Sequence, residues 1–116
     1  MDESILDTIK DLVGVSSDDT VFDGEIITAI NTAFFTLNQI GVGEGRPFII
    51  TGNSEVWNDF MDDIDSLSMV KNYVGLKVRL LFDPPSTQTL MTAIRDQIAE
   101  YEWRLNVEVD HSWEVV

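Results

Sequence analysis

Hydrophobic residues recur at helical spacing along most of the chain. In residues 66–85 they cover most of a helical wheel and leave a narrow polar strip of Lys71, Asn72, Gly75 and Arg79. A helix of this kind must be surrounded by other elements, so we predict that residues 66–85 form the centre of the fold. A proline pair at its end stops the helix, because proline cannot continue the backbone hydrogen bonding.

Amphipathic patterns predict further helices on either side of this central segment. They span residues 2–12, 23–41, 54–64 and 86–105. Asp23 and Ser54 are the expected N-caps of the second and third helices, while Gly14 ends the first. The last helix begins at Ser86 or Thr87, and its apolar stripe is Leu90, Ile94, Ile98, Tyr101 and Leu105.

Two segments lack the helical pattern. Residues 41–53 contain four glycines and a proline, which predicts a long loop with only a short extended piece at Phe48–Ile50. From Asn106 onward the valines alternate, which we interpret as a short extended C-terminal tail. We therefore predict one all-α domain over residues 1–116, a small bundle of about five helices with a helical body to residue 105 and a tail over 106–116.

Composition narrows the class of protein. The chain has 116 residues, no cysteine and a formal net charge of -14, which fits one domain without disulfides or thiol chemistry. Residues 1–65 hold fourteen acids against Lys10 and Arg46, whereas residues 66–105 hold four acids against five bases. This charge disfavours broad contact with nucleic acid or anionic lipid. Neither a secretory signal nor a membrane span is expected from the apolar runs.

Catalytic and metal-binding patterns are weak. His111 is the only histidine and falls in the predicted tail, so histidine-based catalysis or zinc binding is disfavoured. The acidic run Asp59, Asp62, Asp63 and Asp65 lacks the glycine and terminal glutamate of a calcium loop. A solvated acidic face explains it more simply, although a metal-dependent hydrolase built on these carboxylates stays open as the least favoured alternative.

The glycines of the loop do not indicate a cofactor site. Gly41, Gly43 and Gly45 follow a predicted helix and precede a proline, whereas a dinucleotide-binding turn follows a strand and opens a helix. No cofactor is expected.

Five side chains are candidates for contact with a partner. Lys71, Lys77 and Arg79 carry three of the seven basic charges on the most apolar helix, where they pair either with acids of the same chain or with a neighbouring subunit. Trp103 is explained equally well by core packing and by an interface, while Trp113 in the tail favours contact with a partner.

The chain resembles a known family in four stretches. They are residues 69–85 (MVKNYVGLKVRLLFDPP), 98–106 (IAEYEWRLN), 37–43 (LNQIGVG) and 57–60 (WNDF). Together they resemble the small head-tail connector proteins of tailed phages of Gram-positive bacteria, which are also described as head completion or DNA packaging adaptor proteins.

The resemblance implies a structural role without enzyme activity. Such subunits form a ring beneath the portal, bind the portal and the next connector or tail-completion protein, and let DNA pass without specific binding. It implies a place in the virion at the head–tail junction, after a stage in the host cytoplasm. An acidic DNA mimic that occupies the DNA site of a host protein is the alternative.

Two regions would then carry the docking contacts. The C-terminal segment with Trp103 and Trp113 is similar to a portal-docking element. The loop over residues 41–53, with Gly43, Arg46 and Phe48, is similar to the surface that meets the next component.

Overall fold

The chain forms a bundle of helices. The computed structural model describes residues 3–43, 48–61 and 64–112, except the side chains of 64–65 and 108–112. Within these ranges the helices are α1 (Ile5–Leu12), α2 (Asp23–Gln39), α3 (Trp57–Phe60), α4 (Ile64–Phe82) and α5 (Gln88–Ser112). The described residues form no strand beyond an isolated antiparallel bridge between Ser4 and Val56, so the predicted all-α class is confirmed. None of these helices has the length and apolar character that would let it cross a membrane.

Helix α4 is the centre of the bundle, as its sequence predicts. It packs against α1, α2 and α5, and α2 also packs against α1. The buried apolar side chains of α4 are Leu67, Val70, Tyr73, Val74 and Val78. Among the helices that pack against α4, α2 contributes the largest number of buried apolar side chains. They are Ile26, Ala29, Ile30, Ala33, Phe34 and Leu37.

Glycines end the first two helices. Gly41 has a φ of 96°, a conformation that is strained for residues with a side chain. The turn lets the N–H of Val42 donate to the carbonyl oxygen of Leu37 at 2.9 Å, which satisfies one of the unpaired carbonyls at the helix end. Gly14, with a φ of 82°, does the same for α1, so both predicted ends are confirmed.

The two predicted N-caps are wrong. Phe22 occupies the cap position of α2 and Asp23 is the first helical residue. Val56 rather than Ser54 precedes α3, and its N–H donates to Asp59 Oδ2 at 3.1 Å. The preference for polar N-cap residues points to a polar residue near the start of each helix. The backbone conformation decides which residue caps the helix.

The extended C-terminal tail is also wrong over residues 106–112, which continue α5 to Ser112. Adding residues to an existing helix avoids the cost of nucleation, so the valines there do not break it. Asn106 also fastens this part of the helix to α2 by donating from Nδ2 to the carbonyl oxygen of Ile40 at 3.1 Å. Residues 113–116 lie outside the described residues.

Candidate functional site

Lys71 finds its partners within its own chain. Its Nζ lies 3.8 Å from Glu3 Oε1 and 5.7 Å from the centre of the Trp57 ring. Trp57 is itself buried and donates from Nε1 to Thr8 Oγ1 at 3.1 Å. Lys71 therefore helps to join α4 to α3 and to the start of α1. A role for Lys71 between subunits stays a prediction.

Lys77 and Arg79 differ from Lys71 because neither forms an ion pair with a described residue. Both side chains are half-buried. Arg79 lines an open groove of about 370 Å³ together with Leu12, Leu76 and Tyr101. A cation beside apolar walls suits an acidic partner with an apolar anchor.

The polar strip of α4 is not open to water along its whole length. Gly75 is buried beneath α1, and a Cβ at this position would lie 2.9 Å from Leu12 Cδ1. The missing side chain lets α1 approach α4 closely. Gly75 and Asn72 line the same groove as Arg79, whereas Lys71 lies outside it.

Trp103 lies on the outer surface of the bundle. Its side chain is 66% exposed. It is on the face of α5 opposite to Ile94, Ile98 and Leu105, which are buried. Trp103 is thus not part of the core of its own chain, and its contact with a partner stays a prediction. Trp113 lies outside the described residues.

The candidate residues of the glycine-rich loop are placed differently from one another. Gly43 is exposed with a φ of 112°, while Arg46 lies outside the described residues. Phe48 is half-buried, and its ring centre lies 5.4 Å from that of Phe34 and 5.5 Å from that of Phe60. Phe48 therefore anchors the end of the loop in an aromatic cluster.

Asn31 fixes the same end of the loop, which the sequence did not predict. Its Oδ1 accepts from the N–H of Ile50 at 2.8 Å and its Nδ2 donates to the carbonyl oxygen of Ile50 at 3.1 Å. This pair of bonds satisfies backbone groups that no strand partner serves. Ile49, the residue before, is left 63% exposed.

A second groove lies between the first half of α2 and the end of α4. It encloses about 680 Å³. Its lining includes Gly24, Glu25, Thr28, Thr32, Leu81 and Phe82. We name it the α2–α4 groove. Its sequence signal is weak, since small residues spaced by four on α2 are equally common on a plain exposed face.

The ionisable groups with shifted pKa values serve structure rather than chemistry. Desolvation raises the pKa of Glu55, but the Thr51 hydroxyl (2.8 Å) and the N–H groups of Thr51 and Gly52 outweigh it and hold the pKa below its usual value. Burial raises the pKa of Tyr73 far above its usual value, and the hydrogen bond to Glu102 Oε2 (2.7 Å) adds to this. Both groups fasten neighbouring segments to one another.

The candidate metal ligands do not come together in the part of the chain that is described. Over that part, no three acidic, histidine or cysteine side chains cluster closely enough to hold a metal ion. The carboxylate of Asp59 accepts a hydrogen bond from the N–H of Val56 at the start of α3. Asp62 and Asp63 lie outside the described residues, as do the side chains of Asp65 and His111.

Comparison with known proteins gives a family. No curated protein and no solved structure gave a significant match. A family model described as phage connector protein matches residues 5–112. That range includes every helix described above and both grooves. The chain therefore belongs to the phage connector protein family.

Proposed function

We propose that this connector protein is a structural adaptor without enzyme activity that forms a ring below the portal of a tailed phage. The ring joins the head to the tail and continues the DNA channel. Its partners are further copies of itself, the portal protein, and the next connector or tail-completion protein. It acts in the virion at the head–tail junction, after a stage in the host cytoplasm.

The observation that carries the proposal is the family match over residues 5–112. The surface of the subunit supports it. Trp103, Ile49 and Leu81 are each more than half exposed, although large apolar side chains contribute most to a fold when buried. Arg79 lines a groove but has no carboxylate partner among the described residues. These surfaces suit a protein that is completed by neighbours.

The charge of the chain suits a channel through which DNA moves. From residue 11 to residue 45 the sequence contains no lysine or arginine. A wall that is poor in cations releases no counterions on meeting DNA and therefore does not hold the phosphates. We propose that acidic side chains of this part of the chain line the channel.

The direct test is to mix the purified chain with the portal protein encoded in the same phage genome. Mass photometry measures the complex and electron microscopy shows its shape. We expect a ring of this protein on the portal at a concentration where the chain alone is largely monomeric. Persistent failure to associate, together with capture of a host DNA-binding protein, would instead favour the DNA mimic.

A further inference from the structure

The α2–α4 groove is largely apolar, and the threonine hydroxyl groups of its wall are already hydrogen-bonded. The Thr28 hydroxyl donates to the carbonyl oxygen of Gly24 at 2.9 Å, and the Thr32 hydroxyl donates to that of Thr28 at 2.9 Å. At the other wall Leu81 is 58% exposed beside Phe82. A large apolar side chain could therefore enter without leaving hydroxyl groups unpaired.

Trp103 is a suitable occupant but cannot reach the groove of its own chain. Its neighbour Glu102 contacts Tyr73, and Tyr73 precedes Phe82 by nine residues, about 14 Å along α4. Trp103 also projects from the face of α5 that is turned away from the core. The groove and the tryptophan therefore belong to two separate surfaces of one subunit.

We propose that Trp103 of one copy inserts into the α2–α4 groove of the next copy. Two different surfaces that meet in this way form a head-to-tail contact, and such contacts close into a ring when the rotation between copies permits. The inference rests on the proposed function, because it names the surfaces that join the subunits of the ring.

The charges at the two surfaces are complementary. Glu25 lines the groove on α2, and Lys77 lies one helical turn before Leu81 on α4. Beside Trp103, α5 carries Arg104 and Glu100, which are exposed and 3.6 Å apart. Arg104 can thus meet Glu25 while Glu100 meets Lys77. The indole N–H of Trp103, which only donates, also finds an acceptor in the carboxylate of Glu25.

Cysteine cross-linking tests this contact directly, because the chain has no cysteine of its own. Thr32→Cys places a thiol in the groove, and Ala99→Cys places one a helical turn from Trp103; both positions are exposed. Under mild oxidation during assembly, we expect a mixture of the two variants to form a disulfide between copies. Neither variant alone should cross-link.

A substitution of Trp103 itself measures how much the tryptophan contributes to self-association. Trp103→Ala should weaken self-association about 30-fold, as expected for an aromatic anchor at the centre of an interface. Phe35→Ala is the matched control, since Phe35 is 51% exposed on α2 but does not line the groove. Circular dichroism should show the same helix content for the wild-type, Trp103→Ala and Phe35→Ala proteins.

The outcomes separate this inference from the proposed function. If the unmodified chain forms a ring while the cysteine mixture gives no disulfide between copies, the contact proposed here is wrong and the adaptor function stands. If Trp103→Ala forms rings normally but no longer binds the portal, the tryptophan docks on the portal instead. If the unmodified chain assembles neither alone nor on the portal, the proposed function fails and this inference with it.

Discussion

Lys10 is an unusual residue because it is charged and only 1% exposed. Its Nζ lies 2.8 Å from Asp23 Oδ1 and donates to the carbonyl oxygen of Ser17 at 3.2 Å. Asp23 is the first residue of α2, where its negative charge also interacts favourably with the positive end of the helix dipole. One ion pair therefore fixes the start of α2 against α1.

This pair predicts a large cost when one partner is removed alone. Asp23→Ala should lower the free energy of unfolding by about 3 kcal/mol, because it leaves the buried ammonium without its counter-charge. Adding Lys10→Met should recover part of the loss, since a methionine side chain fills the space without a charge. Urea denaturation of both single variants and the double variant measures this. Strictly additive losses would contradict the coupling.

Tyr73 predicts a dependence of stability on pH. Its pKa is raised by burial and by the hydrogen bond to Glu102, whereas tyrosine in the unfolded chain ionises near pH 10. The folded state therefore keeps the phenolic proton longer, so the stabilisation is complete below about pH 10 and is lost as pH rises above that value.

Tyr73→Phe tests this dependence. At pH 7 the variant should be less stable by about 1 kcal/mol, since it lacks one hydrogen bond. The difference between the two proteins should shrink between pH 10 and pH 11, where only the wild-type loses the contribution of Tyr73. Urea midpoints at each pH give the comparison, and other titrating groups cancel because both proteins share them. A difference that stays constant with pH would be evidence against the assignment.

At the scale of elements, the sequence predicted several features that depend on local pattern, although not the N-caps of α2 and α3. The wheel of α4 predicted its central place, and Gly14 and Gly41 marked helix ends. The alternating valines suggested a tail, whereas α5 continues to Ser112 because extending an existing helix avoids the cost of nucleation. The bond from Asn106 to Ile40, which joins residues far apart in sequence, could not be predicted from the local pattern.

The candidate surfaces show the same limit. Spacing placed Lys71 and Arg79 on one strip, but it could not show that Lys71 contacts Glu3 and Trp57 whereas Arg79 lines a groove with Leu12. The sequence did not decide whether Trp103 is exposed, because a tryptophan in a helix can pack in the core or lie at an interface. The α2–α4 groove had only a weak sequence signal, since it forms only when the end of α4 meets the first half of α2.

At the scale of the whole molecule, the charge is divided between two halves of the chain. The first 65 residues are strongly acidic, while the segment 66–105 has one more base than acid. In the proposed ring each subunit can set its acidic part against the more basic part of a neighbour. Arg79, which has no described ion-pair partner, is the cation best placed to take part.

Charge reversal distinguishes this role from stabilisation within the chain. Lys71→Glu should cost about 1 kcal/mol of stability and leave assembly intact, because it removes the contacts to Trp57 and Glu3. Arg79→Glu should leave stability nearly unchanged but weaken self-association about tenfold or more, since like charges at an interface repel. The double variant should weaken self-association about as much as Arg79→Glu alone while it keeps its helix content.

Arg95→Glu is the control for net charge, because it makes the same change at an exposed position of α5. Equal loss of assembly in Arg95→Glu and Arg79→Glu would mean that total charge matters and the edge of α4 does not. Unfolding of Arg79→Glu would show that this arginine holds its own subunit together. Sedimentation velocity over a range of protein concentrations, with thermal unfolding of each variant, separates these results. Raising the salt concentration should reduce the difference between Arg79→Glu and the wild-type, because ions screen exposed charges.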